Sequence, residues 1–254
     1  MRRIMGTPEI IAIFLAGVWA GAINTVVGSG TLVTFPVLLA FGYPPVIANV
    51  SNTVGLVPGS ASGAYGYRRE LAGQRRRMIP LMAASLVGGI IGAVLLLTLP
   101  AAAFEAIVPV FIAVAVLLII LQPRLAAMLS GRRPTGRERA GILATLGVFA
   151  GGVYGGYFGA AQGIMVLAIL TLSLDDDLQR LNADKVVLTG LVNLVSGIVF
   201  VLVAQIAWAP AALIAGGSLI GGVLGARIGR RLPPSAMRAT VVVVGTIAIV
   251  RLVA

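Results

Sequence analysis

NTVVGSGTL, residues Asn24 to Leu32, is the stretch on which the fold turns. It follows IIAIFLAGVWAGAI, Ile10 to Ile23, a run suited to lipid. Yet it places an Asn, a Ser, two Thr and two Gly where a membrane helix should continue. The 254-residue chain around it is 59% hydrophobic and 11% charged, against roughly 45–50% and about 25% in soluble domains. Long apolar blocks recur, among them Ile79–Leu99, Phe104–Leu121, Ile142–Val153 and Val241–Val250. About 20 largely apolar residues cross a hydrocarbon core of about 30 Å. A β-barrel would instead alternate polarity in segments of about ten residues, and no such alternation is present. The composition predicts an all-α polytopic membrane protein with the lipid bilayer as its solvent.

The chain has no Cys and no His. Disulfides and thiolate metal sites are thereby excluded, as are the usual general base and the commonest transition-metal ligand. No metal or cofactor is expected. The formal charge of +11 would suggest nucleic acid in a soluble protein. Here the Arg residues sit in short loops, so membrane topology is the better reading and no nucleic-acid partner is expected. Met1–Arg3 with the apolar run behind it reads as the start of a first membrane helix, because no small-residue cleavage site follows.

Three stretches are basic: Arg68–Arg77, Gln122–Arg139 and Arg227–Arg238. The positive-inside rule makes them cytoplasmic. The connections near Leu99–Ala103 and Gln205–Trp208 carry no Lys or Arg and should face outward. The apolar pattern gives ten membrane segments, at about 9–27, 31–42, 46–66, 78–99, 104–121, 140–158, 163–174, 186–204, 209–228 and 237–253. Three crossings before the first basic loop put the N-terminus outside, and the last segment puts the C-terminus outside too. A re-entrant 31–42 would alter the count.

The chain also resembles itself at a shift of 133 residues. SLVGGIIGA at Ser85–Ala93 falls on SLIGGVLGA at Ser218–Ala226, Leu99-Pro100 on Leu232-Pro233, Asn49 on Asn182 and Gly30 on Gly163. Residues 1–121 and 140–254 then form two five-segment repeats, joined by a basic linker at 122–139. An odd number of segments per half inverts one half against the other. Many secondary transporters are built so, with the site near the midplane at the repeat interface.

In this register NTVVGSGTL matches YFGAAQGIM, Tyr157 to Met165. Each break precedes a short segment and then a polar patch, ANVSNT at Ala48–Thr53 or LNADKV at Leu181–Val186. Gly28 and Gly30 permit close backbone approach, and free N–H groups at a helix start attract anions. Ser29 and Thr31 add hydroxyls. Non-helical backbone at membrane depth is tolerated only where it is buried or lines a wet cavity. Two facing breaks would make a small pocket for an anion, with Asn24, Gly28, Ser29, Gly30 and Thr31 opposite Gln162 and Gly163. Asn49, Ser51, Asn52, Thr53 and Asn182 either line it or cap helices. Lys185 either attracts the anion, snorkels to the interface, or pairs with Asp177 or Asp184. Asn193, two turns on, reaches the pocket or bonds a neighbouring helix. Asp184 is the first candidate to couple a proton or ion, with Glu105 and Asp177 behind it. GGIIGA and GGVLGA read as small-residue packing faces; they would also suit a homodimer. Trp19, Trp208, Tyr43 and Tyr67 read as interface anchors or packing.

These residues resemble the sulfite exporter TauE/SafE family, also called the 4-toluene sulfonate uptake permease family. The resemblance spans nearly the whole chain. It rests on AGAINTVVGSGTLVTFPVLLAFGYPPVIANVSNT, LQRLNADKVVLTGLVNLVSGIVFV and GGSLIGGVLGARIGRRLP. Where the family's break is glycine-rich, this chain has Gly28-Ser29-Gly30-Thr31 and Ala161-Gln162-Gly163-Ile164. The resemblance implies a transporter of sulfite, sulfonates, sulfoacetate or related anions in the bacterial inner membrane. The residues themselves lead to anion transport by alternating access; the sulfur chemistry comes from the resemblance alone. An anion channel with the same pocket is one alternative. An intramembrane serine enzyme, with Ser29 as nucleophile and Lys185 as base, is another. Catalysis is not expected.

Overall fold

The computed structural model describes residues 5–130 and 140–228, together with 239, 242, 243 and 246. Among these residues there are nine helices and no strand. They are α1 (Thr7–Val26), α2 (Thr31–Ala40), α3 (Pro45–Gly66), α4 (Arg75–Thr98), α5 (Ala101–Ser130), α6 (Ile142–Tyr157), α7 (Gln162–Ser173), α8 (Leu178–Val203) and α9 (Trp208–Ile228). Five of them, α1, α4, α5, α8 and α9, are long and apolar enough to cross a membrane. Most of the predicted segment 237–253 and of the basic stretch 227–238, and linker residues 131–139, lie outside the described residues.

The bundle is inside-out relative to a soluble protein. Val87, Ile90, Val94, Val110, Val114, Leu117, Ile120, Ile198 and Leu202 point outward. Ser29, Asn49, Ser51, Asn52, Asp184, Lys185, Ser196 and Ser218 are buried. Lipid solvates the former at no cost, whereas polar groups at membrane depth require partners inside the protein.

Glycine faces set the closest helix pairs. On α4, Gly88 and Gly92 lie against the α6 backbone near Phe149 and Val153, and Gly156 of α6 lies against Gly89. On α9, Gly217 and Gly221 lie against α1 near Phe14 and Val18, and Gly21 of α1 lies against Ser218. In both pairs the contact advances in the same chain direction, so each pair runs parallel. GGIIGA and GGVLGA thus pack within one chain, and a small-residue face lets backbones approach.

Two expectations about helix extent are corrected. The first concerns α2 and α7, counted above as crossings. At about 1.5 Å per residue, α2 with 10 residues and α7 with 12 reach about half of a hydrocarbon core of about 30 Å. Each folds back along the helix before it. Gly155 meets Gln162, Gly151 meets Val166 and Gly147 meets Ile169, an antiparallel series between α6 and α7. In the first half Gly30 lies against Ala20 and Asn24, and the Tyr43 hydroxyl beyond α2 donates to Glu9 near the start of α1 at 2.9 Å. In each unit the second helix is too short to cross and turns back along the first.

The second correction concerns helix starts and stops. α8 begins at Leu178, eight residues before the expected 186, with extended Asp177 as its N-cap residue and acidic residues at its positive dipole end. LNADKV is therefore inside the helix. α5 continues to Ser130 through the first part of the expected linker, where Leu, Ala and Met are strong helix formers.

The backbone at the first break depends on glycine. Gly28 has φ +91°, and a Cβ there would sit 2.6 Å from the Gly163 Cα. Gly73 has a similar φ of +82°, but a Cβ there would meet nothing within 4 Å. Gly73→Ala should therefore cost only the left-handed backbone term, about 1 kcal/mol. Gly28→Ala adds a backbone clash, raising the loss by about 1–3 kcal/mol. Thermal melting of the purified protein should show the larger drop for Gly28→Ala; equal drops would mean the two hairpins do not touch there.

Candidate functional site

The breaks are built alike. Val27 and Gly28 N–H both donate to Ile23 O, at 2.7 and 2.9 Å, and Phe158 and Gly159 N–H both donate to Tyr154 O, at 2.9 and 3.2 Å. Gly28 and Gly159 both have positive φ, +91° and +78°. Each helix ends in the same left-handed glycine turn, which satisfies one late carbonyl. The turn pairs Gly28 with Gly159, not with Ala161 as the 133-residue shift has it. The two-residue slip is local, since α3 and α8 begin at Pro45 and Leu178, again 133 apart.

The two turns touch. Gly163 N–H donates to Gly28 O at 3.0 Å, so that N–H is not available to a ligand. This narrows the expectation that both breaks offer backbone donors. Gln162 N–H is also taken, by Gly159 O at 3.3 Å. On the other side, the first backbone bond of α2 runs from Leu32 N–H to Ser29 O at 3.2 Å.

Carbonyls at the ends of the broken helices draw donors from the opposite half. Asn49 Nδ2 on α3 donates to Tyr157 O at the end of α6, at 3.0 Å. Asn182 Nδ2 on α8 donates to Thr25 O at the end of α1, at 3.4 Å. Lys185 Nζ donates to both Asn24 O and Thr25 O, each at 3.2 Å. Asn49 and Asn182 are indeed caps, but of the partner half's helix rather than their own. Lys185 neither snorkels nor pairs with Asp177 or Asp184: it is fully buried.

The remaining predicted residues fall into three groups. Asn52 accepts a very short bond from Thr34 Oγ1 and donates to Thr31 Oγ1 at 3.2 Å, tying α3 to α2. Ser51 Oγ accepts Ala207 N–H at 2.9 Å, and Thr53 Oγ1 donates to its own helix at Asn49 O. Ser29 Oγ, Gln162 Nε2, Asn49 Oδ1 and Asn182 Oδ1 are buried without a hydrogen-bond partner. Two further polar groups meet between α1, α3 and α8: Asn24 Nδ2 and Asn193 Nδ2 both approach Ser60 Oγ, at 3.5 and 3.4 Å. Both amides are half-buried.

Sequence reasoning passes over Ser60, although a signal is present. Ser60 and Asn193 are 133 residues apart, so they are equivalent in the repeat register, and they bond each other. It passes over the Thr34 hydroxyl that donates to Asn52, and over Thr25 and Tyr157, whose backbone acceptors leave no mark in a sequence.

Asp184 is fully buried and accepts from Arg77 Nη2 at 2.7 Å. Arg77 also reaches Asp176 at 2.6 Å, and Arg180 Nε meets Asp176 at 3.1 Å. Burial pushes the Asp176 carboxyl up, but the Asp177 N–H and the Arg77 and Arg180 guanidinium groups outweigh it and hold Asp176 below its usual value. Asp177 and Glu105 are exposed. Tyr67 is buried packing, whereas Trp208 is largely exposed.

With Arg77 and Arg180 matched to Asp176 and Asp184, Lys185 has no carboxylate partner among the described residues. An apolar groove of about 450 Å³ lies between α3, α8 and α9, lined by residues such as Val54, Val57, Ile198 and Trp208. Nothing in that lining can recognise an anion.

Known proteins resemble the chain along most of its length. A probable membrane transporter protein of Haemophilus influenzae is 29% identical over 226 residues, 88% of this chain and 86% of that one. The probable membrane transporter protein YfcA of Escherichia coli K12 is 30% identical over 234 residues, 90% of this chain and 82% of that one. A probable membrane transporter protein, ORF9, of a Sinorhizobium species is 26% identical over 243 residues, 95% and 91% of the two chains. No solved structure matches. The family model described as sulfite exporter TauE/SafE matches residues 13–252, and the chain belongs to that family of membrane transporters.

Proposed function

We propose that the protein is a secondary transporter that moves a small anion across the bacterial inner membrane by alternating access of two inverted halves. The observation that carries this reading is Lys185, a fully buried amine held by backbone carbonyls and without a carboxylate partner among the described residues. An ionised group buried without a counter-charge is costly, and intramembrane ionisable groups mark ion and substrate paths. An anion beside Lys185 would supply the missing charge. Ser29 Oγ, Gln162 Nε2 and the N-terminal N–H groups of α2 supply further donors. Asn24, Ser60 and Asn193 line the approach. The family's description as a sulfite exporter favours a sulfur oxyanion or organosulfonate, such as sulfite or sulfoacetate.

Inversion is supported by exchanged partners. α1 pairs with α9 and α6 with α4; Asn49 caps α6 and Asn182 caps α1. Among the described residues the first half has one hairpin and three further long helices, an odd number of crossings once the hairpin returns to its starting face. The face that carries Arg68–Arg77 is then cytoplasmic and both termini lie outside. Coupling by a proton or ion falls to Asp184 in this reading. Its second oxygen, Oδ1, is buried without a partner.

A serine-enzyme reading lacks support in the geometry. Ser29 Oγ has no partner and Lys185 Nζ is bonded to two carbonyls, so the nucleophile–base contact that defines such a pair is not made.

In proteoliposomes, Lys185→Met should abolish saturable uptake or efflux of labelled sulfite or sulfoacetate, while Lys185→Arg should keep part of it. Melting temperature without ligand should be unchanged or raised in Lys185→Met, since an uncompensated buried charge is removed. Normal transport by Lys185→Met would refute the assignment. Ser29→Ala should weaken apparent affinity by about tenfold, the equivalent of about 1.4 kcal/mol, without abolishing transport. Total loss with unaltered binding would instead indicate a nucleophile. A sulfite-dependent rise in melting temperature, expected for a ligand of the folded state, should be absent in Lys185→Met.

A further inference from the structure

The apolar groove between α3, α8 and α9 has no part in holding a free anion, yet three helices build it. Its floor is a ridge of α3 that carries Val54, Val57 and Pro58. The next residues on that ridge, at helical spacings of three and four, are Ala61 and Tyr65. Both are exposed, Tyr65 to 70%. The groove therefore does not stop at Pro58. It continues as an open path to the end of α3 at Gly66. Tyr65 lies 11 residues after Val54, a rise of about 16 Å at about 1.5 Å per residue. One leaflet is half of a hydrocarbon core of about 30 Å, so the path is as long as one leaflet is deep.

Two arginines stand where this path meets the basic loops. The Arg68 guanidinium lies over the Tyr65 ring, 4.6 Å from its centroid, and Nη1 donates to Tyr65 O at 3.2 Å. Stacking fixes the plane of the guanidinium, and most of its N–H donors remain for a ligand. Arg227 reaches the same end from α9. α3 and α9 run parallel, since Gly55 meets Ile214, Gly59 meets Ser218 and Gly66 meets Ala226. Arg227 follows Ala226 in the last turn of α9. Arg68 and Arg227 are both exposed, and neither is ion-paired with a described residue. Glu70, the carboxylate nearest Arg68 in the sequence, has interactions of its own.

A free phosphate would use the arginines and ignore the groove. A neutral lipid would use the groove and ignore the arginines. Both parts lie along one ridge of α3, so a single molecule with an anionic head and an apolar chain fits both. We infer that an anionic phospholipid of the basic-loop leaflet binds here, with its phosphate at Arg68 and Arg227 and one acyl chain along α3 into the groove. Arginine forks match phosphate oxygens, and basic groups beside an anionic leaflet gain affinity. Tyr65 takes the headgroup level that aromatic rings favour. The site joins α3 of the first half to α8 and α9 of the second, so an occupied site stabilises the fold.

Native mass spectrometry of the full chain tests this. The protein is released from micelles that contain phosphatidylglycerol, phosphatidylethanolamine and phosphatidylcholine with identical chains. Wild-type protein should retain one phosphatidylglycerol over either other lipid by at least about fivefold. Arg68→Gln combined with Arg227→Gln should remove that preference. Arg76→Gln, at an exposed arginine of the same loop on α4, should leave it intact. Ala212 lines the groove from an exposed position, so Ala212→Phe should fill the groove and lower phosphatidylglycerol retention although both arginines remain. Excess glycerol phosphate, a headgroup without chains, should not displace the lipid. Phosphatidylglycerol should raise the melting temperature of wild type but not of the double arginine variant.

Equal retention of the three lipids would overturn the site, as would an unchanged preference in the double arginine variant. Retention that survives Ala212→Phe would place the chain elsewhere and overturn the groove. Displacement by glycerol phosphate would reduce the site to a phosphate contact. A dimer that Ala212→Phe dissolves would show a second copy of the chain on the groove, and would overturn the lipid as well. The substituted side chains are exposed, so the variants keep the fold. No substrate is used, so the outcome is independent of the transport reading.

Discussion

Two helices end inside the bundle, and their terminal carbonyls must find donors there. In water such groups are hydrated; at membrane depth each unsatisfied one costs several kcal/mol. The glycine turns at Gly28 and Gly159 satisfy one carbonyl each. The rest depends on the other half of the chain, through Asn49 toward Tyr157 O and through Asn182 and Lys185 toward the end of α1. Neither hairpin is complete alone. This mutual requirement places the two breaks against each other and explains why the contact between Gly28 and Gly163 leaves no room for a side chain.

The same arrangement separates symmetry from function. Most exchanged pairs are neutral on both sides, as Asn49 and Asn182 are. Lys185 breaks the pattern: the residue at the equivalent place is Asn52, which bonds Thr31 and Thr34. One side of the interface thus carries a buried lysine and the other an amide. The second asymmetry is apolar. Phe158, in the second break, packs edge-on against Phe35 of α2 and Phe104 of α5 at centroid separations of 5.2 and 5.8 Å. Such contacts stiffen packing beyond area burial. The second break is thereby wedged by rings, whereas the first is bordered by Ser29, Thr31 and Asn24.

The distribution of charge supports the division of labour. Arg77 and Arg180 are matched by Asp176 and Asp184 at the membrane edge, where Arg can form two bonds at once. Lys185, the residue next to Asp184, is held instead by backbone carbonyls of α1.

Read without coordinates, the chain already declares its membrane class, the nine described helices to within a few residues at most ends, the glycine packing faces and the equivalence of Asn49 with Asn182. These follow from hydrophobic blocks, small-residue spacing and local repetition, all properties of neighbouring residues. Ser29, Gln162 and Lys185 are also legible as unusual, because polar groups in apolar surroundings stand out. Three-dimensional packing is needed to see that α2 and α7 turn back, that α8 begins at Leu178, and that Gly28 pairs with Gly159. Packing also sets which carbonyls Lys185 binds and makes Arg77, rather than Lys185, the partner of Asp184. One cause is common to all of these. A half-length apolar helix reads like a crossing until its neighbours are known. A hydrogen-bond acceptor on the backbone is the same atom in every residue, so its partner is chosen by packing and not by sequence.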